Sequence, residues 1–528
     1  MKSVMEHSFS QVPRANIQRS SFDRSHGLKT TFDADYLVPI LLDDIIPGDT
    51  FNVNATVFAR LATPIHPIMD NIGIDVFFFF VPYRLLWDDW ERFCGAQDNP
   101  ASSIDFSIPI TSTTVAVSLA PGDLGDYFGL PITFDFDNDT CSALPARAYH
   151  LIWNEWFRDQ NLQNSYVFLT TAGPDIESQT GYADPPLKRG KRHDYFTSCL
   201  PWPQKGSTAV SLPLGTSARV QSGGGATDEI SLYNTALAAY RDLLPVTSDS
   251  IIRGAAEDTG LARLEADLST ATAATINDLR LAFQTQKLLE RDARSGTRYN
   301  ETILAHYGVT VPDFRVQRPE FLGGGTAQLN ITPVAQTTFQ GTPTVEDAKG
   351  NLAGFGTASG SMGFTKSFTE HGLLIGLANA RGDITYSQGI DRYWKKSTRY
   401  DFFYPVLAQI GEQSVLQQEI WWTTNNATQN AIIFGYQERY AEYRYKPSRL
   451  TGLMAVDASG TLATWHLSED FATAPTLGDT FIQANTIVPL DRAIAVSTEP
   501  QFIADFYFSM KCARPMPLFG LPGNMDRF

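Results

Sequence analysis

The chain has 528 residues, 43% of them hydrophobic and 19% charged, with a net charge of −16 at pH 7. That much apolar content excludes a disordered chain. So acidic a balance also excludes a protein whose main task is to coat nucleic acid, since phosphate binding needs a basic footprint. Aromatic residues at 12%, with 39 Gly and 30 Pro, favour a large, loop-rich β protein over a helical one. Cys94, Cys141, Cys199 and Cys512 are scattered with no Cys-x-x-Cys pair, so neither a zinc site nor a disulfide framework is indicated. Reduced thiols in a cytoplasm-like compartment are the simplest reading. The first residues lack the apolar core of a signal peptide. No apolar run approaches the roughly 20 residues that span a bilayer, so a soluble product without membrane insertion is expected.

In chain order, residues 1–30 are polar, and Lys2, Arg14, Arg19, Arg24 and Lys29 outnumber Glu6 and Asp23. This stretch reads as a basic arm that orders only against a partner, or as a solvated tail. Residues 31–206 begin the body. Pro47-Gly48-Asp49 is a turn, and Phe51, Val53, Ala55, Val57, Ala59 and Leu61 alternate with polar neighbours, which predicts a half-buried strand. Residues 62–70, with Pro64 and Pro67, are an irregular link.

Asn71–Trp90 then places six apolar residues in a row, Val76 to Val81, ahead of Pro82. A run this short, rich in β-branched and aromatic residues, predicts a strand buried on both faces. Pro82 lacks an N–H to continue a ladder and ends it. Leu85–Trp90 reads as a short helix. Pro145–Asp159 has helical spacing, with Tyr149, Ile152, Trp153 and Trp156 on one face and Pro145 in the first turn. Asp184–Gly206, proline-rich and locally basic, is extended.

Residues 207–275 change character to Ala, Thr, Ser, Gly and Leu, with only Tyr233 and Tyr240 as aromatics. Such a segment inside aromatic-rich flanks reads as an insertion displayed at the surface. Residues 276–528 resume the body. Ile276–Arg294 is a helix, with Thr275 and Asp278 as a weak capping pair and Gly296 as the stop. Leu322-Gly323-Gly324-Gly325 reads as a loop, and residues 340–364 are rich in Gly, Thr and Ser. Leu373–Leu377, Ala431–Tyr436 and Tyr440–Tyr445 read as strands. Phe502, Ala504, Phe506, Phe508, Met510 and Cys512 alternate strictly. Matching half-buried strands near the two ends, with no linker and no repeat, predict one core with long excursions and not a string of domains.

No spacing supports catalysis. Gly354-x-Gly356 misses the dinucleotide fingerprint, and no phosphate loop occurs. Asp135, Asp137 and Asp139 resemble the start of a calcium loop, but Thr140 and Ala146 replace its glycine and glutamate; a solvated acidic turn is the better reading. The histidines show no ligand spacing. Glu370 and His371, adjacent in a strand, point to opposite faces, and Asp88 and Asp89 diverge on a helix. No cofactor or metal is expected. Two basic clusters do interleave with rings: Lys188, Arg189, Lys191 and Arg192 before Tyr195, and Arg392, Tyr393, Trp394, Lys395 and Lys396 running on to Arg399 and Tyr400. This composition suits either a single-strand nucleic-acid platform or a subunit interface. With Arg14 and Arg19 of the arm, Lys188, Arg189, Lys191, Arg192, Lys395 and Lys396 are the DNA-facing candidates.

Several stretches, taken together and in order, resemble a known family: PGDTF (Pro47–Phe51), FFVPYRLLW (Phe79–Trp87), LPARAYHLIWNEWFRDQN (Leu144–Asn161), YFTSCLPWPQKG (Tyr195–Gly206), LERDARSGTRYNE (Leu289–Glu301), RPEFLGGG (Arg318–Gly325), SFTEHGLLIGL (Ser367–Leu377), FGYQERYAEYR (Phe434–Arg444) and the tail from Arg514 to Phe528. The chain is similar to the major capsid proteins of gokushovirus-type microviruses, small icosahedral single-stranded DNA bacteriophages. The resemblance implies a mainly β fold, an eight-stranded antiparallel viral jelly roll with long loop insertions and a few helices. It implies self-assembly into a T=1 shell around a circular single-stranded DNA genome, with a small basic DNA-packaging protein as partner. It also implies a protrusion near the threefold axes, in the place of 207–275, that would meet a host cell-surface receptor. The expected location is the virion, after synthesis in the host bacterial cytoplasm. The alternative reading is a carbohydrate-binding or carbohydrate-degrading jelly roll.

Overall fold

The computed structural model describes residues 18–519, apart from 97–98, 100–105, 113–116, parts of 207–275, 295–298, 311, 313–316, 336 and 338–351. Its main sheet contains β1 (Ser20–Asp23), β2 (His26–Phe32), β3 (Val38–Ile45), β4 (Thr50–Leu61), β5 (Ile72–Pro82), β6 (Glu320–Ala335), β7 (Leu352–Ser367), β8 (Gly372–Gly382) and β9 (Phe502–Arg514). β1 and β2 pair one after the other with β9, so they act as a single interrupted edge strand. β1 and most of β2 fall inside the stretch read as an arm, whose residues 1–17 lie outside the described residues.

The strand order is β1/β2–β9–β4–β7 in one half and β6–β5–β8–β3 in the other, with every pairing antiparallel. β6 serves both halves: Glu320–Gln328 pair with β5, and Leu329–Ala335 pair with β7. With the interrupted edge counted once, this is the eight-stranded, double Greek-key order of a jelly roll. The two alternating segments near the chain ends lie side by side, in register from Leu61 opposite Phe502 to Thr50 opposite Ala513. Their inward sets, Phe51 to Leu61 and Phe502 to Cys512, are buried in one core between the halves.

β5 is apolar on both faces because both faces are covered. Ile72, Ile74, Val76, Phe78 and Phe80 enter the core between the halves, whereas Phe79 and Val81 point the other way into a second cluster. That second cover is α1 (Leu144–Ile152), which starts as expected with Pro145 in its first turn. Its Tyr149 hydroxyl donates to the Leu37 carbonyl at 2.9 Å, and the following Trp153 donates to the Lys188 carbonyl at 3.0 Å. Under α1, Arg147 makes a buried two-pronged pair with Asp175, at 2.8 and 2.6 Å. Each fully buried large apolar side chain here contributes roughly 1.5–3 kcal/mol.

Three expectations are corrected. Leu322–Gly325 lies inside β6 and is not a loop. The glycines serve close backbone approach: a Cβ at Gly324 would sit 2.3 Å from the Val76 carbonyl oxygen, and one at Gly363 of β7 would sit 2.1 Å from that of Val53. Leu85–Trp90 is not a helix. A 3-10 turn at Tyr83–Leu85 and a helix at Trp90–Phe93 flank it, because Leu86 and Trp87 are drawn under α1 into the second cluster. Tyr440–Tyr445 is not a strand. Tyr440 adopts a left-handed conformation (φ 64°) and a 3-10 turn covers Ala441–Tyr443, where Tyr440 and Tyr443 pack edge-on against each other and around Phe403.

Gln204–Gly296 forms a compact unit of its own. It holds a five-stranded sheet, with Ile252–Gly254, Ala239–Pro245, Ile230–Asn234, Ala262–Asp267 and Arg219–Ser222 side by side, and α2 (Ile276–Arg294), with the bounds predicted from sequence.

The glycine geometry yields a test. Gly324→Ala is expected to cost about 1–3 kcal/mol or more through overpacking, whereas Ser359→Ala, at an exposed site of β7, should stay within about 0.5 kcal/mol. Denaturant midpoints of the two variants check this, and equal midpoints would contradict it.

Candidate assembly and nucleic-acid surface

The excursion between β8 and β9, residues 383–501, rests on a hairpin of Glu412–Leu416 and Ile433–Glu438. Val415, Phe434, Tyr195, Phe196, Ile420 and Phe481 form a separate apolar cluster beneath it. On this base the chain presents aromatic side chains outward. Tyr393 and Trp394 are 63% and 68% exposed, and Tyr400, Phe402, Phe403, Tyr404, Tyr443 and Tyr445 are also exposed. Exposed apolar surface of this density marks an interaction face, and rings mixed with arginine are typical of protein interfaces.

Of the cations interleaved with these rings, Arg392 and Lys396 turn inward and hold the loop. Arg392 donates to Glu419 Oε1 at 3.1 Å and to the Ser414 carbonyl at 2.8 Å, and the Tyr195 hydroxyl donates to Glu419 Oε2 at 2.9 Å. The two basic clusters therefore meet through Glu419. Burial pushes the Glu419 carboxyl up, and Arg392 opposes that push. Asp391 caps the 3-10 turn Arg392–Lys395 by accepting from the Tyr393 N–H at 3.0 Å. It also accepts from Lys446 at 2.6 Å and Arg449 at 2.7 Å. Partial burial would raise its pKa, but these hydrogen bonds win and hold it at about 2.

The DNA-facing candidates fall in different settings. Arg14 lies outside the described residues. Arg19, exposed beside β1, donates to the Gly48 carbonyl at 2.5 Å and to Thr50 Oγ1 at 3.1 Å. Lys188 sits 5.4 Å over the Tyr36 ring. Arg189 pairs with Asp75 at 2.5 Å and lies 4.9 Å over Phe77. Lys191 is buried, 2.7 Å from Glu469 and 4.2 Å over Phe481. Arg192 is exposed, 3.1 Å from Asp383. Lys395 is exposed, 4.3 Å over Trp422, and Lys396 is 3.9 Å from Glu442 and 3.9 Å over Tyr443. The fold gathers Lys188–Arg192 on one extended segment and Lys395–Lys396 on the aromatic face, with Arg19 apart on the edge strand. Sequence reasoning missed Phe402, Phe403 and Tyr404, although an aromatic run stopped by Pro405 was a legible signal. Asp135 makes a local turn, accepting from the Asp137 N–H and the Asn138 amide. Glu370 pairs with Arg84, while His371 packs edge-on to Trp90.

A jelly roll that concentrates its exposed chemistry in an aromatic face belongs with proteins that work by association. Comparison with known proteins is more specific. Residues 10–524 match the family profile described as capsid protein (F protein). The chain is 45% identical to capsid protein VP1 of Bdellovibrio phage phiMH2K, over 99% of this chain and 98% of that one. It is 41% identical to capsid protein VP1 of Chlamydia phage 1 (99% and 98%) and 35% identical to that of Spiroplasma virus 4 (98% and 97%). The chain therefore belongs to the phage capsid protein (F protein) family, as a viral major capsid protein of microvirus type whose role is structural and not catalytic.

The Asp391 clamp gives a pH test. A carboxylate whose folded pKa is depressed contributes stability that is complete above its ordinary value of 3.8 and is lost as pH falls through about 2. Acidification across that window should free residues 446–449 from the Arg392–Lys395 turn and open new protease sites there. Asp391→Asn should show the same sites already at about pH 5; an uncleaved variant at that pH would contradict the clamp.

Proposed function

We propose that copies of the chain tile into a T=1 icosahedral shell around a circular single-stranded DNA genome, and that the aromatic face from Tyr393 to Tyr445 is buried between copies. The observation that carries this reading is the density of exposed rings on that face, which in a free subunit would be an aggregation hazard. Each contact can be weak, because closure of a symmetric shell makes many of them at once.

Genome contact falls to Arg19 and Arg192, which are exposed, and to the half-buried Lys188, whereas Lys395 goes with the aromatic face. Arg189, Lys191 and Lys396 are already held by Asp75, Glu469 and Glu442, so in this reading they brace the loops. A chain with net charge −16 does not neutralise a genome unaided, which is the place for a small basic DNA-packaging protein. The 207–275 stretch is the candidate for surface display and for meeting a host cell-surface receptor. Synthesis in the host bacterial cytoplasm fits four free cysteines.

Trp394→Ala with Phe403→Ala tests the aromatic contact. Buried interface aromatics cost about 2 kcal/mol or more each when truncated, repeated at every contact. The double variant should keep its β-sheet circular dichroism yet sediment as free 58.4 kDa chains or small oligomers, while the parent sediments as a particle. Normal yield of particles from the variant would refute this use of the face.

A further inference from the structure

The outer face of β2, β9 and β4 ends in a groove of about 1030 Å³, walled on its far side by residues of the 121–127 stretch and by Pro185 and Pro186. That volume lies at the upper end of the range for small-ligand sites, so the groove has room for several side chains. Its apolar floor includes Phe58 and Ile503, which are 55% and 62% exposed. The charges lining it are Lys29 and Arg60 against Asp33, Asp123, Asp126 and Asp505, a net charge of −2 (2 minus 4). Lys29 lies 3.6 Å from Asp505. Asp33, Asp123 and Asp126 accept only backbone N–H groups, those of Gln501, Ala120 and Gly122, and among the described residues no cation pairs with them. Tyr127 registers the field: burial first, and then the nearby aspartates, push its hydroxyl up to about 12.

The aromatic face carries the opposite balance. Lys395, Arg399, Arg444, Lys446 and Arg449 are exposed on it, whereas every acid from Asp391 to Glu442 is buried or half-buried. Lys446 and Arg449 share Asp391, and Arg444 has Glu438. Lys395 and Arg399 lie over the Trp422 and Tyr400 rings, and among the described residues no carboxylate pairs with either. One surface of the chain is thus a groove with an apolar floor and surplus aspartates. Another is a set of projecting rings with surplus cations.

We infer that the aromatic face of one copy docks in this groove of a second copy, its rings on Phe58 and Ile503 and its exposed cations toward the aspartates. The inference rests on the reading that the aromatic face is buried between copies, and it names the surface that covers it. Both surfaces stand open in the single chain, so only association brings them together. Acid against base steers that approach, and it disfavours one aromatic face stacking on another, where like charges would meet.

Charge reversal tests the pairing, with the particle yield of the full-length chain read by sedimentation. Lys395→Glu with Arg399→Glu on the face, and Asp123→Lys with Asp126→Lys in the groove, should each lower the yield about tenfold or more by setting like charges together. All four reversals in one chain should restore it to within a few-fold of the parent, since the combination reads the coupling between the two surfaces. Ile503→Ser, which leaves every charge in place, should lower the yield a few-fold, and it keeps the test open if the aspartate variant does not fold. Parent-like yield from both groove variants, beside a defective face variant, would overturn the groove and leave the aromatic-face reading standing. So would loss of yield on both sides without restoration. Groove-variant particles formed at the parent yield but short of DNA would give the groove to a different, basic occupant and overturn the inference. Parent-like yield from Trp394→Ala with Phe403→Ala would overturn the aromatic-face reading, and this inference with it.

Discussion

A strand that is apolar on both faces requires a cover on both faces, and β5 imposes that requirement on the rest of the chain. One face is met by the opposite half of the jelly roll, through β4, β7 and β9. The other is met by the excursion between β5 and β6, which returns across the sheet as α1 and the extended segment after it. The seal ends in polar chemistry. Asp75 on β5 accepts from Thr326 on β6 and from Arg189 of the returning segment, and Asn379 on β8 lies opposite it. A buried charge of this kind is tolerated because it is paired and hydrogen-bonded. Removing one partner would leave an uncompensated charge, so the pair fixes where the excursion docks even if it adds little net stability.

Among the described residues, the half of the sheet built from β9, β4 and β7 has no comparable cover. Phe58, Ile503 and Tyr507 remain exposed on its outer face, among polar neighbours on the same strands. The excursion between β8 and β9 buries its own small core and leaves rings outward. A capsid subunit has to hold both conditions at once. Its fold must be complete in the single copy, and its surface must stay unsatisfied until other copies arrive. The Arg392–Glu419–Tyr195 and Asp391–Lys446–Arg449 contacts reconcile them by fixing the backbone of the aromatic loop before anything covers its side chains, which lowers the ordering cost of association.

Much of the framework is readable in the residues. Period-two runs at Phe51–Leu61 and Phe502–Cys512 state which side chains are buried, and the apolar block before Pro82 states that β5 is covered twice. Helical spacing locates α1 and α2. The misreadings share one cause: the deciding partner is distant in sequence. Gly323 to Gly325 resemble a turn until Val76 and Met362 are set against them. Tyr440 to Tyr445 alternate like a strand, but among the described residues no strand pairs with them, and Phe403 takes up the rings of Tyr440 and Tyr443. At the surface, the basic clusters could be found but their assignments could not. Lys191 and Arg192 are adjacent in sequence, yet one is buried on Glu469 and the other is exposed.

Hydroxyl-radical footprinting of the same chain, free and in particles, tests the central claim most directly. If the subunit works by burying its aromatic face against other copies, oxidation of Tyr393, Trp394, Tyr400 and Phe403 should fall several-fold on assembly. Control side chains such as Tyr195, already buried in the single copy, should react weakly in both. Equal oxidation of the four rings in free chains and in particles would show that the shell is held by some other surface.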